Sequence, residues 1–287
     1  MRKLIERLLV FFIGVPAFFA IIVLFPFCRQ LLLNILTIIF TAVGAVEFSS
    51  MLEKKNLHIS KIEAFILGSL APLSLTLVIS LNLPEWVIPL MLITGLEWVL
   101  ISGAFSKSAK MDTAANRVAV CLSVIVYPGL LMFWVVKMAI WGNPGAVFLF
   151  FLLTFANDSA AWLTGNLFGK NNRGLIPASP NKSIAGFLGG FLGSVLIALG
   201  AANFFPSVFS AGVNTESVSN LFVKAAVLGL CTGIFGTLGD LCESAIKRSC
   251  GFSDSGKFVL GRGGSLDSID SIAIAAPVYF VLFNLFF

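Results

Sequence analysis

An all-α polytopic membrane protein of about nine transmembrane helices is the fold class the sequence predicts, and three observations predict it. Of the 287 residues, 58% are hydrophobic and only 11% charged, whereas a soluble domain carries about 25% charged residues. The mean hydropathy of +0.98 leaves too little polar surface for water. Lipid is then the natural solvent, and a spanning helix there needs about 20 apolar residues. Third, the basic residues fall in alternate connections, which sets both the count and the direction of the spans.

The elements follow in order. Arg2, Lys3 and Arg7 precede an apolar run that reaches Phe27 without the small-residue site of a cleaved leader. That run, 8–27, is expected as the first span. Further apolar windows lie at 31–48, 63–81, 85–105, 117–139, 144–166, 184–205, 221–241 and 267–286. With the N-terminus in the cytoplasm, 16 of the 19 Lys and Arg residues fall on the cytoplasmic side, and only Arg29, Lys137 and Lys224 oppose them. The expected orientation is N-terminus in, C-terminus out, in the cell inner (cytoplasmic) membrane. Residues 1–140 form an N-terminal region of about five spans. Residues 141–287 are expected as a C-terminal region with cytoplasmic loops at 167–183 and 242–266, where any catalysis would sit. Gly186, Gly189, Gly190 and Gly193, and Gly229, Gly233, Gly236 and Gly239, recur at the spacing that lets helix backbones approach closely.

Composition also excludes. The pI is about 9.0, but the basic residues are spread over short loops with no dense run, so no nucleic-acid partner is expected. Five cysteines without a CxxC do not suggest disulfides or zinc. The single histidine, His58, sits among Lys54, Lys55 and Lys61 as a solvated loop residue, which leaves no histidine-based catalysis.

Charge is scarce, so its location matters. Of 14 acidic residues, Asp240, Glu243, Asp254, Asp267 and Asp270 lie within one short stretch. Asp240, Glu243 and Lys247 share a helix face, and so do Asp267 and Asp270 at the start of the last span. Between them Gly261-Arg262-Gly263-Gly264 offers backbone N–H groups for an anion. Carboxylates around a basic glycine loop suit Mg2+ with a polyphosphate. Simpler roles stay open: Asp267 also suits a helix cap, Glu243 and Lys247 an i, i+4 pair, and Lys247-Arg248 a topology signal. A second loop offers Asp158, Lys170, Arg173 and the turn Ser179-Pro180-Asn181, with Ser183 as a cap and Lys182 beside a helix N-terminus as a phosphate contact. Lys170 and Arg173 read as topology residues. Two other acids stand out, Glu97 within the fourth span and Glu47 at the inner end of the second, Glu97 best read as a helix-interface carboxyl.

The stretch Ser244–Asp270 resembles the signature of phosphatidate cytidylyltransferases, carried by Ser244, Lys247, Arg248, Asp254, Gly256, Gly263, Gly264, Asp267 and Asp270. Asp240, Glu243, Asp158, Gly165, Phe168-Gly169-Lys170 and Ser179–Ser183 add to it. The family pattern differs at Ser253, Arg262, Ser268 and Ala185, where it has Lys, His, Arg and Glu. The resemblance implies transfer of a cytidylyl group from CTP to phosphatidic acid, giving CDP-diacylglycerol and pyrophosphate at the cytoplasmic face. Asp240, Asp267, Lys182 and Lys247 would carry catalysis. Arg248, Arg262, Gly263, Gly264, Ser179, Asn181 and Asp158 would bind substrate. Mg2+, with room for a second cation, would take Asp240, Asp267, Glu243, Asp254 and Asp270. CTP, phosphatidic acid, membrane lipid and a second copy of the chain are the implied partners. A CTP-dependent enzyme on another lipid phosphate, a catalytically weak relative and an ion-coupled transporter remain the alternatives. Carboxylates at one membrane face weigh against the transporter.

Overall fold

The computed structural model describes residues 13–104, 111–209, 218–259 and 263–287. The helices are α1 (Val15–Leu24), α2 (Phe27–Glu53), α3 (Lys61–Leu81), α4 (Val87–Ala104), α5 (Met111–Val124), α6 (Leu131–Met138), α7 (Pro144–Phe168), α8 (Ile184–Phe204), α9 (Val218–Cys250) and α10 (Leu266–Phe286). A π-helical turn, Ile125–Leu130, joins α5 to α6, so that Ala114–Trp141 forms one span. Among the described residues eight helices are long and apolar enough to cross a membrane, and there is no strand, only isolated bridges at Arg173–Ser183 and Val259–Gly263. These eight match the expected windows from 31–48 onward. Of the window at 8–27, residues 8–12 lie outside the described residues, and α1 covers Val15–Leu24; Pro26, with no backbone N–H and a fixed φ, follows its C-terminal end. Two other helices overrun their windows. α2 has 27 residues and α9 has 33, because polar residues can continue a helix past the apolar stretch.

Local sequence sets the helix ends. Ser60 accepts the Glu63 N–H, Asn143 the Ala146 N–H before Pro144, and Ser183 the Gly186 N–H; each satisfies a donor that a helix start leaves open. α9 ends on Gly251 at φ 78°. There Phe252 N–H reaches Lys247 O and Gly251 N–H reaches Arg248 O, the two bonds of a Schellman stop. Buried hydroxyls bond back into their own helices, as Thr41 does to Thr37 O and Thr76 to Pro72 O, since lipid offers no other partner.

The chain forms two compact units. The first comprises residues to Ile140 together with Lys247–Ile269, a segment the sequence division assigns to the C-terminal region. Contacts with α2 bring it there: Ser265 donates to Phe40 O at 2.6 Å, and the rings of Phe40 and Phe258 meet edge-on at 5.6 Å. Within this unit α2, α3 and the π turn pack closely. A Cβ on Gly129 would lie 2.8 Å from Gly68 O. Glu63 accepts from Arg117 and from Trp98 Nε1. Glu97, expected at a helix interface, is exposed on α4.

The second unit comprises Trp141–Ile246 and Asp270–Phe287. α7 and α8 lie backbone to backbone along the glycines of α8. A Cβ on Gly193 would meet Ala160 at 2.7 Å, and one on Gly190 would meet Asn157 O at 3.0 Å. The glycines of α9 serve two neighbours. Gly229 and Gly233 approach Ser194 of α8, while Gly236 and Gly239 approach Ser271 and Asp270 of α10. The expected close packing of both glycine series is thus present. Replacing Gly193 with leucine should split α8 from α7, because overpacking costs about 1–3 kcal/mol or more. Size-exclusion chromatography in mild detergent should show loss of the monodisperse peak. An aromatic cluster of Trp141, Phe150, Tyr279 and Phe283 closes the end of this unit, with Tyr279 OH donating to Ala146 O at 2.7 Å.

Candidate active site

The residues singled out in the sequence gather in both units. In the second unit the cluster lines a cavity of about 360 Å3, whose wall includes Asn157, Asp158, Trp162, Arg173, Asn181, Lys182, Thr237 and Asp240. α7 supplies the first three and α9 the last two. The loop between α7 and α8 supplies the rest. That loop is folded by its own backbone: Gly174 N–H donates to Pro180 O, Lys182 N–H to Ser179 O and Ile184 N–H to Asn172 O. It delivers Lys182 onto Asp240, with Nζ 2.6 Å from Oδ2. Both side chains keep solvent access, 25% and 34%. Asp240 Oδ1 accepts the Ser244 hydroxyl at 3.3 Å. Asn157 is 2% exposed and donates to the Thr237 hydroxyl at 3.1 Å.

The first unit gathers a different cluster. Lys247 Nζ lies 2.6 Å from Asp267 Oδ1, and both side chains are nearly buried. The other carboxylate oxygen accepts Ser255 N–H at 2.9 Å and Gly264 N–H at 2.7 Å. Gly263, at φ 117°, turns the chain so that these bonds can form, and a Cβ there would press on the Asp267 carboxylate. Glu47 of α2 also enters this cluster, accepting from Ser255 and Leu266.

Of the residues singled out in the sequence, Lys182, Asn181, Asp158 and Asp240 come together, as do Lys247, Asp267, Gly263 and Gly264. Others stand differently. The two glycine N–H groups expected to cradle an anion are donated inward, Gly263 to Val259 O and Gly264 to Asp267. Ser179 shapes the loop through its backbone and is not in the cavity wall. Arg248 is exposed and donates to Phe252 O at 3.0 Å. Arg262 lies outside the described residues. Ser268, at a position where the family pattern is basic, donates back to Gly264 O at 3.1 Å.

The five carboxylates expected around a metal are divided between the units, Asp240, Glu243 and Asp270 in the second and Asp254 and Asp267 in the first. Among the described residues no three His, Cys, Asp or Glu side chains could hold a metal ion together. Glu243 is fully buried, Asp270 is buried with Oδ1 accepting Ser271 N–H, and Asp254 is exposed and accepts from Ser253. Asp267 already accepts from one ammonium and two backbone N–H groups. A self-contained protein cage for a cation does not fit this donor set. Mg2+ held by one or two carboxylates plus substrate phosphates is compatible with it, and Asp240 and Asp158 are the carboxylates on the cavity wall.

Sequence reasoning passed over Asn157, Trp162 and Thr237, and gave Glu47 no role. Asn157 and Thr237 carry a signal, since each is a polar group within an apolar span. Their pairing depends on tertiary structure alone.

Comparison with known proteins agrees with this chemistry. The cytidylyltransferase family matches over residues 5–286. A phosphatidate cytidylyltransferase of Staphylococcus epidermidis is 32% identical over 201 residues, covering 69% of this chain and 71% of the relative. One of Thermotoga maritima is 33% identical over 203 residues, 70% of each chain. An uncharacterized protein of Escherichia coli is 39% identical over 139 residues, 47% of this chain and 42% of its own. With the match running through nearly the whole sequence, the chain belongs to the cytidylyltransferase family.

Proposed function

We propose that the protein transfers the cytidylyl group of CTP to phosphatidic acid, forming CDP-diacylglycerol and releasing pyrophosphate. The observation that carries this reading is the Lys182–Asp240 pair, a partly exposed cation and carboxylate on the wall of a cavity between helices long and apolar enough to span a membrane. A soluble phosphate compound and a membrane lipid can both reach such a site. Family membership and the relatives named phosphatidate cytidylyltransferase supply the substrate class.

The chemistry asks little of the protein beyond placement and charge. An oxygen of the lipid phosphate attacks the α-phosphorus of CTP. The bond from that phosphorus to the bridging oxygen breaks, and pyrophosphate leaves. The attacking oxygen is already anionic, so no base is required, consistent with a wall that contains no histidine or cysteine. Lys182 exchanges Asp240 for a phosphate oxygen when substrate enters, which neutralises charge where it develops. Arg173, which donates to Gly165 O at 3.3 Å, offers a second cation on the same wall. Asp240 and Asp158 would hold Mg2+ brought with the nucleotide, and the ion would neutralise phosphate oxygens. Trp162, 71% exposed, and Phe187 give the cavity an apolar side that suits a lipid or a base.

The reading includes a cytoplasmic site in the inner membrane, because basic residues concentrate in the loops that would face inward. It also includes a homodimer. α4 has only 17% of its apolar window buried and exposes Glu97, and a carboxylate facing lipid is costly unless a second copy covers it.

Purified protein in mixed micelles of detergent and phosphatidic acid, given labelled CTP, should form CDP-diacylglycerol and pyrophosphate in equal amounts. Formation should require Mg2+. Absence of both products from folded protein would overturn the substrate pair, and product with a different lipid phosphate would reassign the acceptor.

A further inference from the structure

Glu47 sits on α2, 208 residues in sequence from Ser255 and 219 from Leu266, yet one oxygen of its carboxylate holds both. Oε2 accepts the Ser255 hydroxyl at 3.2 Å and the Leu266 N–H at 2.9 Å. Having donated its proton to Glu47, the same Ser255 hydroxyl accepts the Asp267 N–H at 3.2 Å. The Ser255 N–H in turn donates to Asp267 Oδ2 at 2.9 Å. Ser255 thus touches Asp267 at two points and Glu47 at one. Leu266 and Asp267 open α10, where backbone N–H groups lack partners inside the helix and favour a negative charge.

The surrounding sequence is fitted to this carboxylate. A Cβ on Gly256 would overlap the Glu47 carboxylate, and one on Gly264 would overlap both Ser255 Oγ and Glu47 Oε2. Two glycines of the loop therefore make its seat. Packing alone would be served better by an apolar side chain, since a carboxylate on a membrane helix is costly.

We infer that Glu47 is a positioning residue for Asp267, acting through Ser255, and the inference rests on reading the chain as a CTP–phosphatidate cytidylyltransferase. Its carboxylate fixes the start of α10 and the turn at Ser255, and so sets the Asp267 carboxylate against Lys247. A displacement of about 1 Å in such a group costs on the order of 10²-fold in rate.

The test uses the full chain in mixed micelles, with Glu47→Ala and Glu47→Gln. Glu47→Ala should lower kcat about 10²-fold, with KM for CTP within about threefold of the unaltered protein. Glu47→Gln keeps an amide oxygen that can accept the same two bonds, and should return kcat to within about tenfold. Hydrogen–deuterium exchange should show protection of peptides spanning 255–266 lost in the alanine variant and kept in the glutamine one. If Glu47→Ala does not fold, Glu47→Asp, which withdraws the carboxylate by one methylene, takes its place with the same expectation. Unchanged kcat in the alanine or aspartate variant overturns the inference. So does equal loss in Glu47→Gln with unaltered exchange, which would assign Glu47 a charge contact instead. Should the unaltered protein make no CDP-diacylglycerol, the substrate reading fails by itself. Exchange alone then decides on Glu47: lost protection supports the positioning role and unchanged protection overturns it.

Discussion

Replacing Lys182 with methionine should lower cytidylyl transfer about 10²–10³-fold, the cost of removing one charge-stabilising donor from an active site. The methionine keeps most of the length and removes only the ammonium. The protein should still fold, because a partly exposed ion pair contributes about 0–1 kcal/mol, and Lys182 and Asp240 retain 25% and 34% exposure. Asp240→Asn should bring a comparable loss, through a different group on the same wall. Lys182→Arg keeps the charge, but its planar fork does not reproduce a compact ammonium at 2.6 Å from Asp240, so partial activity is expected. Initial rates in mixed micelles, with size-exclusion profiles as the folding control, check all three. Full activity in Lys182→Met would remove this cavity from the reaction.

A second large effect should come from Lys247, and it should appear in stability as well as rate. Lys247 and Asp267 have side chains 11% and 9% exposed. Removing one member of such a pair leaves the other charge buried without its counterion, which costs about 3–5 kcal/mol. Lys247→Met should therefore lower the thermal midpoint in detergent markedly and abolish turnover. The double variant Lys247→Met with Asp267→Asn should recover part of the lost stability and none of the activity. Equal stability of single and double variants would show that the two groups do not act as a pair.

Why some of this was legible in the sequence, and some not, follows from the range of the forces involved. Membrane spans are written locally, as runs of apolar residues, and the spans after the first are recognisable within a few residues. α2 and α9 were read short, since hydropathy ends where the apolar run ends while backbone hydrogen bonding continues to Glu53 and Cys250. At the site, scarcity of charge pointed to Asp240, Asp267, Lys182 and Lys247. The direction of the Gly263 and Gly264 N–H groups is a matter of φ and of which acceptor lies nearest, and composition carries neither. Glu47 is the clearest case. It stood out as an acid near a span end, but its partners lie more than 200 residues away.

The length of α9 has a consequence for how a lipid is handled. Its 33 residues, at about 1.5 Å each, make a rod of roughly 50 Å, against a hydrocarbon layer of about 30 Å. The charged third, from Asp240 to Cys250, is the part that oil excludes. A reacting group carried on that overhang stands at the depth of the glycerol and phosphate of a neighbouring lipid. The substrate can then slide in sideways with its tails still dissolved in the leaflet, and escapes the cost of about 0.8 kcal/mol for every methylene drawn out into water.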